Sequence, residues 1–352
     1  MTHVAGGARL VTDVGEFGLL DGVTNLIESS RVRSSGLALG AGDDAALWRP
    51  RPGRLAVIST DMLVESIHFR HPWSDAASIG HRALAVNLSD LAAMGARPRL
   101  ALFALGLRGD ETDRWVYDFY RGALALAQTW QTRIAGGDIV RIPPDAGTTV
   151  AVTVLGEVQP QRVMRRDAAR AGDILAVTGP LGLAAAGVRA LQSEQTQLDG
   201  APVMLAAHKR PRPRILHGLL LARAGVRAAM DLSDGLLGDL PKLCAASHVS
   251  AQLEFDQLPI PNALRWNFRQ DYKDLVLRGG EDFELLFSAP PDVFLRAVQL
   301  CLRCNLPPPT AIGKLTELAG DEPAITMRWT DQRREVLEPG AFDHFAHASA
   351  AG

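Results

Sequence analysis

Lysine is nearly absent from this chain. Of 37 basic residues among 352, only Lys209, Lys242, Lys273 and Lys314 are lysines. An anion meeting this protein therefore meets mostly guanidinium groups, planar forks with fixed donor geometry. Cysteine is scarce as well, with Cys244, Cys301 and Cys304 the only three. An odd, sparse count suits a reducing compartment. The pair in "CLRC" has metal-like spacing, but no second pair or histidine partner accompanies it, so it reads as a helical face. No charge of one sign predominates: the formal net charge is −2, which implies no basic field for nucleic acid. No run of 18 apolar residues occurs, so no membrane span is expected. The opening "MTHVAGGARLVTDVGEFG" lacks the basic-then-apolar order of a signal peptide, and a cytoplasmic location is expected. Also missing are a GxxxxGK[ST] loop and the HRD and DFG sets of protein kinases; "GHRALAVN" has no Asp after its Arg.

What is present is an ordinary soluble composition, 47% hydrophobic and 22% charged, with enough residues for two domains. After a polar lead-in with a helix in "FGLLDGVTNLIESS", strands and helices alternate. "RLAVIST" predicts a strand ending at Ser59-Thr60-Asp61. "DAASIGHRALAVNLSDLAAMGA" predicts a helix with Leu84, Leu88 and Leu91 on one face. "PRLALFALGL" and "TTVAVTVLGEV" predict strands. Between them, "DETDRWVYDFYRGALALAQTW" predicts a helix whose acidic first turn suits the macrodipole. The polar stretch "QPQRVMRRDAARAGD" places a boundary near residue 160, giving domains 1–160 and 161–352. The second half restarts with the strand "DILAVTG". Helices around 181–192, 203–208 and 212–224 follow, then the strand "VRAAMDL" and a helix from about Asp234, with Pro241 near its start. The strands "SAQLEFD", "FELLFSA", "TAIGKL" and "AITMRWT" and the helix "DVFLRAVQLC" complete it.

Five acidic motifs stand beside small residues and apolar runs: "GAGDDAAL" (Asp43, Asp44), "STDML" (Asp61), "NLSDLAAMGA" (Asp90), "AGGDIV" (Asp138) and "MDLSDGLL" (Asp231, Asp234). One such Asp alone reads as a helix cap or an Asx turn, and Asp234 is placed to cap a helix. Five of a kind are harder to explain so. Carboxylates gathered in a cleft repel and take up protons unless a cation joins them. Hard oxygen donors with Ser and Thr hydroxyls suit Mg²⁺ or Mn²⁺ rather than zinc. Such ions most often hold polyphosphate during phosphoryl transfer. The glycines of "GAGDD", "AGGD" and "RGGEDFELL" let backbone amides approach an anion closely.

Taken together, "GEFGLL", "GAGDDAA", "ISTDMLVESIHF", "ALAVNLSDLAAMGA", "AGGD", "MDLSDGL", "GGEDFELLF" and "FDHF" resemble the thiamine-monophosphate kinase family. They keep that family's order over about residues 15–345. The resemblance implies an α/β (α+β type) fold shared with aminoimidazole-ribonucleotide synthetase and selenophosphate synthetase. Its N-terminal domain is ferredoxin-like and carries the ATP/Mg²⁺ site. That domain forms a β-barrel with the same domain of a second copy, and an α/β C-terminal domain completes the cleft. The implied reaction converts ATP and thiamine monophosphate to ADP and thiamine diphosphate by direct in-line transfer with several Mg²⁺ ions, with K⁺ a further candidate cation. Neither nucleic acid nor membrane is an expected partner; a homodimer is.

Residue by residue, the resemblance implies metal positions at Asp44, Ser59, Thr60, Asp61, Asp90, Asp138, Asp231 and Asp234. It implies nucleotide contacts at Tyr120, Gly137, Asp138, Arg166 and Ser233, with Arg165 the alternative to Arg166. His68, Glu281 and Phe342 match contacts to thiamine phosphate. Catalysis is expected to depend on Asp61, Asp90, Asp234 and Arg166. Against this stand plainer readings of His68 as structural and of Phe342 and Tyr120 as core aromatics. Family members often read GGDTT where this chain has "GGDIV", so two hydroxyls are missing there. The alternatives are another ATP-dependent enzyme of the same superfamily and a non-catalytic nucleotide- or metal-binding homologue. The first cysteine at residue 244 argues against a selenophosphate synthetase, and the retention of all five acidic motifs argues against the non-catalytic reading.

Overall fold

The computed structural model describes residues 8–41, 43–318 and 320–340. Backbone contacts divide the chain into two units, Met1–Val163 with Lys209–Ile215, and Met164–His208 with Leu216–Gly352.

The first unit begins with helix α1 (Val11–Ser29), which is kinked at Gly15 by a φ of 74°. A short hairpin follows, β1 (Leu37–Leu39) against β2 (Leu47–Trp48). The body is a four-stranded sheet of β3 (Leu55–Val64), β4 (Arg97–Leu107), β5 (Arg133–Arg141) and β6 (Thr149–Val158), ordered β3-β6-β4-β5. Helices α2 (Ala76–Ala93) and α3 (Asp113–Trp130) connect its strands. The β4–β5 pair is parallel through the α3 crossover, and the other two pairs are antiparallel. The element order is β-α-β-α-β-β. The expected ferredoxin-like unit has β-α-β-β-α-β, so the unit departs from it at β4–β5, where a helix stands in place of a hairpin.

Each helix starts on a side-chain cap: Ser78 N–H donates to Asp75 Oδ1 (2.6 Å) at α2, and Trp115 N–H to Thr112 Oγ1 (3.1 Å) at α3. Leu84, Leu88 and Leu91 are fully buried on the predicted face. Two glycines let the helices touch: a Cβ at Gly80 would stand 1.9 Å from Phe119 O, and one at Gly122 would stand 1.8 Å from Ala77 O. The helices cover one face of the sheet. The register puts Met62 and Val140 on the other face with Ile58, and these three side chains are 50–65% exposed.

Strand β3 corrects the sequence reading. It does not end at Asp61 but runs on to Val64, with Asp61 opposite Val152. It is an edge strand, and the outward amide of Asp61 is taken by Asn87 Oδ1 of α2 at 2.9 Å. Polar side chains therefore ride on the strand without terminating it. Strand β5 is not among the predicted strands; the sequence reading takes the glycines of "AGGD" only as places where backbone amides could approach an anion.

The second unit is a seven-stranded sheet ordered β13-β12-β9-β11-β7-β10-β8. In chain order its elements are β7 (Ile174–Val177), α4 (Leu183–Gln192), α5 (Ala201–Lys209), α6 (Ile215–Ala224), β8 (Ala228–Asp231), α7 (Leu236–Ser247) and β9 (Val249–Glu254). Then come α8 (Asn262–Asn267), α9 (Tyr272–Arg278), β10 (Leu285–Ala289), α10 (Pro291–Arg303), β11 (Thr310–Glu317), β12 (Ile325–Arg328) and β13 (Arg334–Leu337). Only β12–β9 is parallel. Leu236, Leu240 and Leu243 of α7 join Leu175, Leu253 and Leu286 of the sheet in one buried cluster.

Pro241 lies in the interior of α7, not near its start. The carbonyl that its missing amide leaves free, Leu237 O, accepts from Gly340 N–H at 3.1 Å. Cys301 is buried in α10 and Cys304 caps that helix. Burial pushes the Cys301 thiol up to about 11 and the Cys244 thiol up to about 12.

Candidate active site

In the first unit, strand alternation places Ser59 and Asp61 on the face that α2 covers. Ser59 Oγ donates to Asp90 Oδ2 at 2.5 Å. Asn87 sits one helical turn before Asp90 and holds the Asp61 amide, while its own Nδ2 donates to Ala83 O at 3.0 Å. Asp61 remains accessible on its outer side, but partial burial of its carboxyl, then the charge of Asp90 and a hydrogen bond to it, push it up to about 6. A carboxyl crowded by a second one takes up a proton, or a cation, more readily than one that stands alone.

Thr60 faces the other way. Its hydroxyl donates to Val152 O (3.1 Å) and accepts from Thr153 Oγ1 (3.1 Å), so it is not brought together with the Asp61–Asp90 pair. Asp44 is exposed between β1 and β2, its amide donating to Asp43 Oδ1 at 2.8 Å. His68 Nδ1 accepts from Val64 N–H at 3.0 Å. Asp138 is exposed on β5, opposite Ala104. Tyr120 is in the core, its ring tilted against Phe103 at 5.7 Å and edge-on to Phe119 at 5.5 Å. Burial, with a contribution from Asp138, raises its phenol's pKa. Gly137 is required by sheet packing, since a Cβ there would lie 2.0 Å from Phe103 O.

In the second unit, two loops are zipped together at the ends of β8 and β10. Leu232 N–H donates to Glu284 O (2.8 Å), Phe283 N–H to Leu232 O (2.9 Å) and Glu281 N–H to Ser233 O (2.8 Å). This sets Glu281 beside Ser233 and holds Glu281 and Phe283 in the left-handed region, φ 71° and 50°. Glu281 Oε2 is 3.2 Å from Nδ1 of the buried His208. Asp231 is buried at the end of β8, while Ser233 is exposed.

Asp234 does not cap α7. That position belongs to Gly235, which makes no side-chain cap bond, and Asp234 Oδ2 instead receives Lys242 Nζ at 2.5 Å. The organiser of this loop is Asp239, fully enclosed in the first turn of α7. Its Oδ2 accepts from Ser233 N–H (2.9 Å) and Asp234 N–H (2.8 Å), and its Oδ1 from Lys242 Nζ (2.8 Å). Burial raises the Asp239 carboxyl pKa against the pull of Lys242. Asp282 accepts from Gly182 N–H (2.5 Å) and Ala184 N–H (3.1 Å) at the start of α4, and burial pushes its carboxyl up to about 7.

Arg165 and Arg166 separate cleanly. Arg165 Nε donates to Asp167 Oδ1 at 2.8 Å, whereas among the described residues no carboxylate engages the exposed Arg166. Phe342 lies outside the described residues. Among those residues no three His, Cys, Asp or Glu side chains are already gathered around one metal position. The donors present are carboxylates and hydroxyls, hard oxygens that suit a divalent cation such as Mg²⁺. Sequence reasoning missed Asn87, Asp239, Lys242 and His208. The i, i+3 spacings of Asn87 with Asp90 and of Asp239 with Lys242 were the available signals; His208 had none.

Comparison with known proteins gives a consistent result. Residues 42–158 match the N-terminal domain, and residues 170–324 the C-terminal domain, of the AIR synthase related protein family. The thiamine-monophosphate kinase of Synechococcus elongatus is 36% identical over 344 residues, 96% of this chain and 98% of that protein. Among solved structures, the thiamine-monophosphate kinase of Stenotrophomonas maltophilia is 37% identical with a TM-score of 0.78, covering 86% of this chain and 95% of that one. AaThiL complexed with AMPPCP and TMP is 28% identical with a TM-score of 0.73, covering 97% and 100%.

Proposed function

The chain belongs to the thiamine-monophosphate kinase family, and from that membership we propose that it transfers the γ-phosphoryl group of ATP to thiamine monophosphate, giving ADP and thiamine diphosphate. A phosphate oxygen of thiamine monophosphate attacks the γ-phosphorus in line. The bond from that phosphorus to the β,γ-bridging oxygen breaks, and its electron pair leaves with ADP. The attacking oxygen is already ionised at neutral pH, so no strong base and no covalent enzyme intermediate are needed. Positioning and charge compensation carry the rate.

The observation that carries this reading is the Asp61–Asp90 pair, in which Ser59 Oγ donates to Asp90 and the Asp61 carboxyl is pushed up to about 6 by burial and by Asp90. In the first unit Asp61 and Asp90, with Asp44, Ser59 and Asp138 and with Thr60 on the other strand face, offer hard oxygens for Mg²⁺, and in the second Asp231 and Asp234 do. Bound there, the metal supplies neutralisation of polyphosphate charge. The remaining roles fall to this chain's other side chains. Asn87 fixes the strand under Asp61, and Asp239 fixes the loop carrying Ser233 and Asp234. His208 supports Glu281 as a contact for thiamine monophosphate, with His68 and Phe342. Arg166, free of a carboxylate partner, suits the nucleotide phosphates, with Tyr120, Gly137, Asp138 and Ser233 as further nucleotide contacts.

The open sheet face with Ile58, Met62 and Val140 supports a homodimer in which two such sheets close as a β-barrel. Among the described residues no helix is long and apolar enough to cross a membrane, and the scarce cysteines fit a cytoplasmic enzyme. The test is ADP release measured across phosphorylated acceptors, with and without Mg²⁺ and K⁺. Thiamine monophosphate with Mg²⁺ is expected to support strong turnover; equal rates with unrelated acceptors would overturn the assignment.

A further inference from the structure

A second feature lies in the first unit, at the C-terminal end of α1. A cavity of about 640 Å³ opens there, and three arginines and a single carboxylate line it. Arg133 and Glu28 are spent on the fold. The Arg133 guanidinium donates to Ile27 O (3.3 Å) and Val32 O (3.1 Å), the last carbonyls around the helix end, and pairs with Glu28.

Arg31 and Arg33 are different. Both are exposed, and neither guanidinium has a carboxylate partner among the described residues. Between them Val32 is buried, 5% exposed, which pins the segment. Arg31 sits in the left-handed region at φ 55°. The backbone thus fixes two unneutralised guanidiniums on the rim of one cavity. Beside them is a group left wanting a partner: Ser34 lines the same cavity, and its Oγ is shielded from solvent and makes no hydrogen bond among the described residues. A shielded hydroxyl without a partner costs free energy that an acceptor at this position would return.

We propose that this cavity binds a small, multiply charged anion of the diphosphate class. Arg31 and Arg33 form charge-assisted bonds to its oxygens, and Ser34 donates one more. Among the described residues no aromatic side chain lines the cavity. Recognition is of the phosphate groups alone, and inorganic diphosphate suffices. Neither arginine nor Ser34 belongs to the acidic site, so the reading stands apart from the kinase proposal.

The test is calorimetric titration of sodium diphosphate, and separately of ADP, into the full-length protein in EDTA. One site per chain is expected, with the two ligands of similar affinity. Arg31→Ala/Arg33→Ala weakens diphosphate binding by at least about tenfold. Ser34→Ala weakens it by about threefold. Arg31→Lys/Arg33→Lys restores part of the loss, and all three leave Tm unchanged. Binding persists in Asp234→Asn. No saturation by about 1 mM, undiminished affinity in the double alanine variant, or loss of binding in Asp234→Asn would each overturn the proposal, the last by assigning the heat to the acidic site. Much tighter binding of ADP than of diphosphate would likewise contradict a phosphate-only cavity. Should the double variant fail to fold, Ser34→Ala, which removes only a hydroxyl, decides.

Discussion

The two acidic regions solve the same electrostatic problem in opposite ways. In the first unit, burial, then the charge of Asp90 and a hydrogen bond to it, push the Asp61 carboxyl up to about 6, so that it holds a proton more tightly than an ordinary carboxyl. In the second, the Lys242 ammonium stands within 2.8 Å of both Asp234 and Asp239, and backbone amides of Ser233 and Asp234 complete the set. A proton is displaced readily by a metal; an ammonium on a flexible stem must swing away. On the proposed function, the first region would take up a divalent ion directly, while in the second the Lys242 ammonium already stands against the carboxylates.

The comparison breaks most sharply at Asp61. Replacing it by Asn should lower turnover by at least about 10²–10³-fold, measured as ADP release at saturating substrates; a near-normal rate would remove the pair from the chemistry. Next comes Asp239, whose carboxylate is enclosed and holds three donors. Asp239→Ala should destabilise the fold by about 3 kcal/mol, read from urea unfolding, because Lys242 and two amides lose their partner. Lys242→Met sharpens the contrast at lower cost. It should destabilise the metal-free protein by about 1 kcal/mol yet increase the rise in Tm that MgCl₂ produces, since the competing ammonium is gone. An unchanged Mg²⁺ response would mean that Lys242 does not stand in for a metal.

The smallest effect concerns Asp282. Its folded carboxyl, at about 7, lies above the ordinary value of 3.8. The folded state therefore binds this proton more tightly than the unfolded chain. The stability it contributes is full below pH 3.8 and is lost as pH rises through about 7. Asp282→Asn keeps an acceptor for Gly182 and removes the charge. Its stability relative to the parent should therefore increase between pH 5 and 8, measured by urea unfolding across that window; a constant difference would show that Asp282 does not titrate there.

The legible part of the fold was the part written in periodicity. Leu84, Leu88 and Leu91 declared the buried face of α2 because three residues of one type repeat at helical spacing. The alternation of Val150, Val152 and Val154 declared β6. What failed was reading polarity as a stop. Ser59-Thr60-Asp61 looked like a strand end, but an edge strand can carry polar side chains when a helix supplies partners from outside it. Likewise the glycines of "AGGD" read as a place of approach to an anion, although Gly137 is demanded by the closeness of the Phe103 backbone. Pro241 appeared confined to a first turn, yet the chain accommodates it mid-helix by lending Leu237 O to Gly340. Such compensations depend on residues far away in sequence, which no local pattern records.

The candidate site divides the same way. Asp61, Asp90 and Asp234 stood out because carboxylates beside apolar runs are conspicuous. Asn87 and Asp239 hold the backbone of Asp61 and Asp234, and His208 contacts Glu281; a buried polar side chain in that role looks in sequence like any other polar residue. Tyr120 shows the converse: an aromatic on an amphipathic helix is most simply a core residue, and its ring is buried against Phe103 and Phe119.

The most direct measurement is a rapid-quench single turnover with ATP labelled at its γ-phosphate, enzyme in excess, thiamine monophosphate and Mg²⁺. The account predicts that label passes straight into thiamine diphosphate, that none is trapped on protein, and that EDTA or Asp61→Asn abolishes the transfer. Label accumulating on the protein, or thiamine diphosphate forming unlabelled, would contradict it.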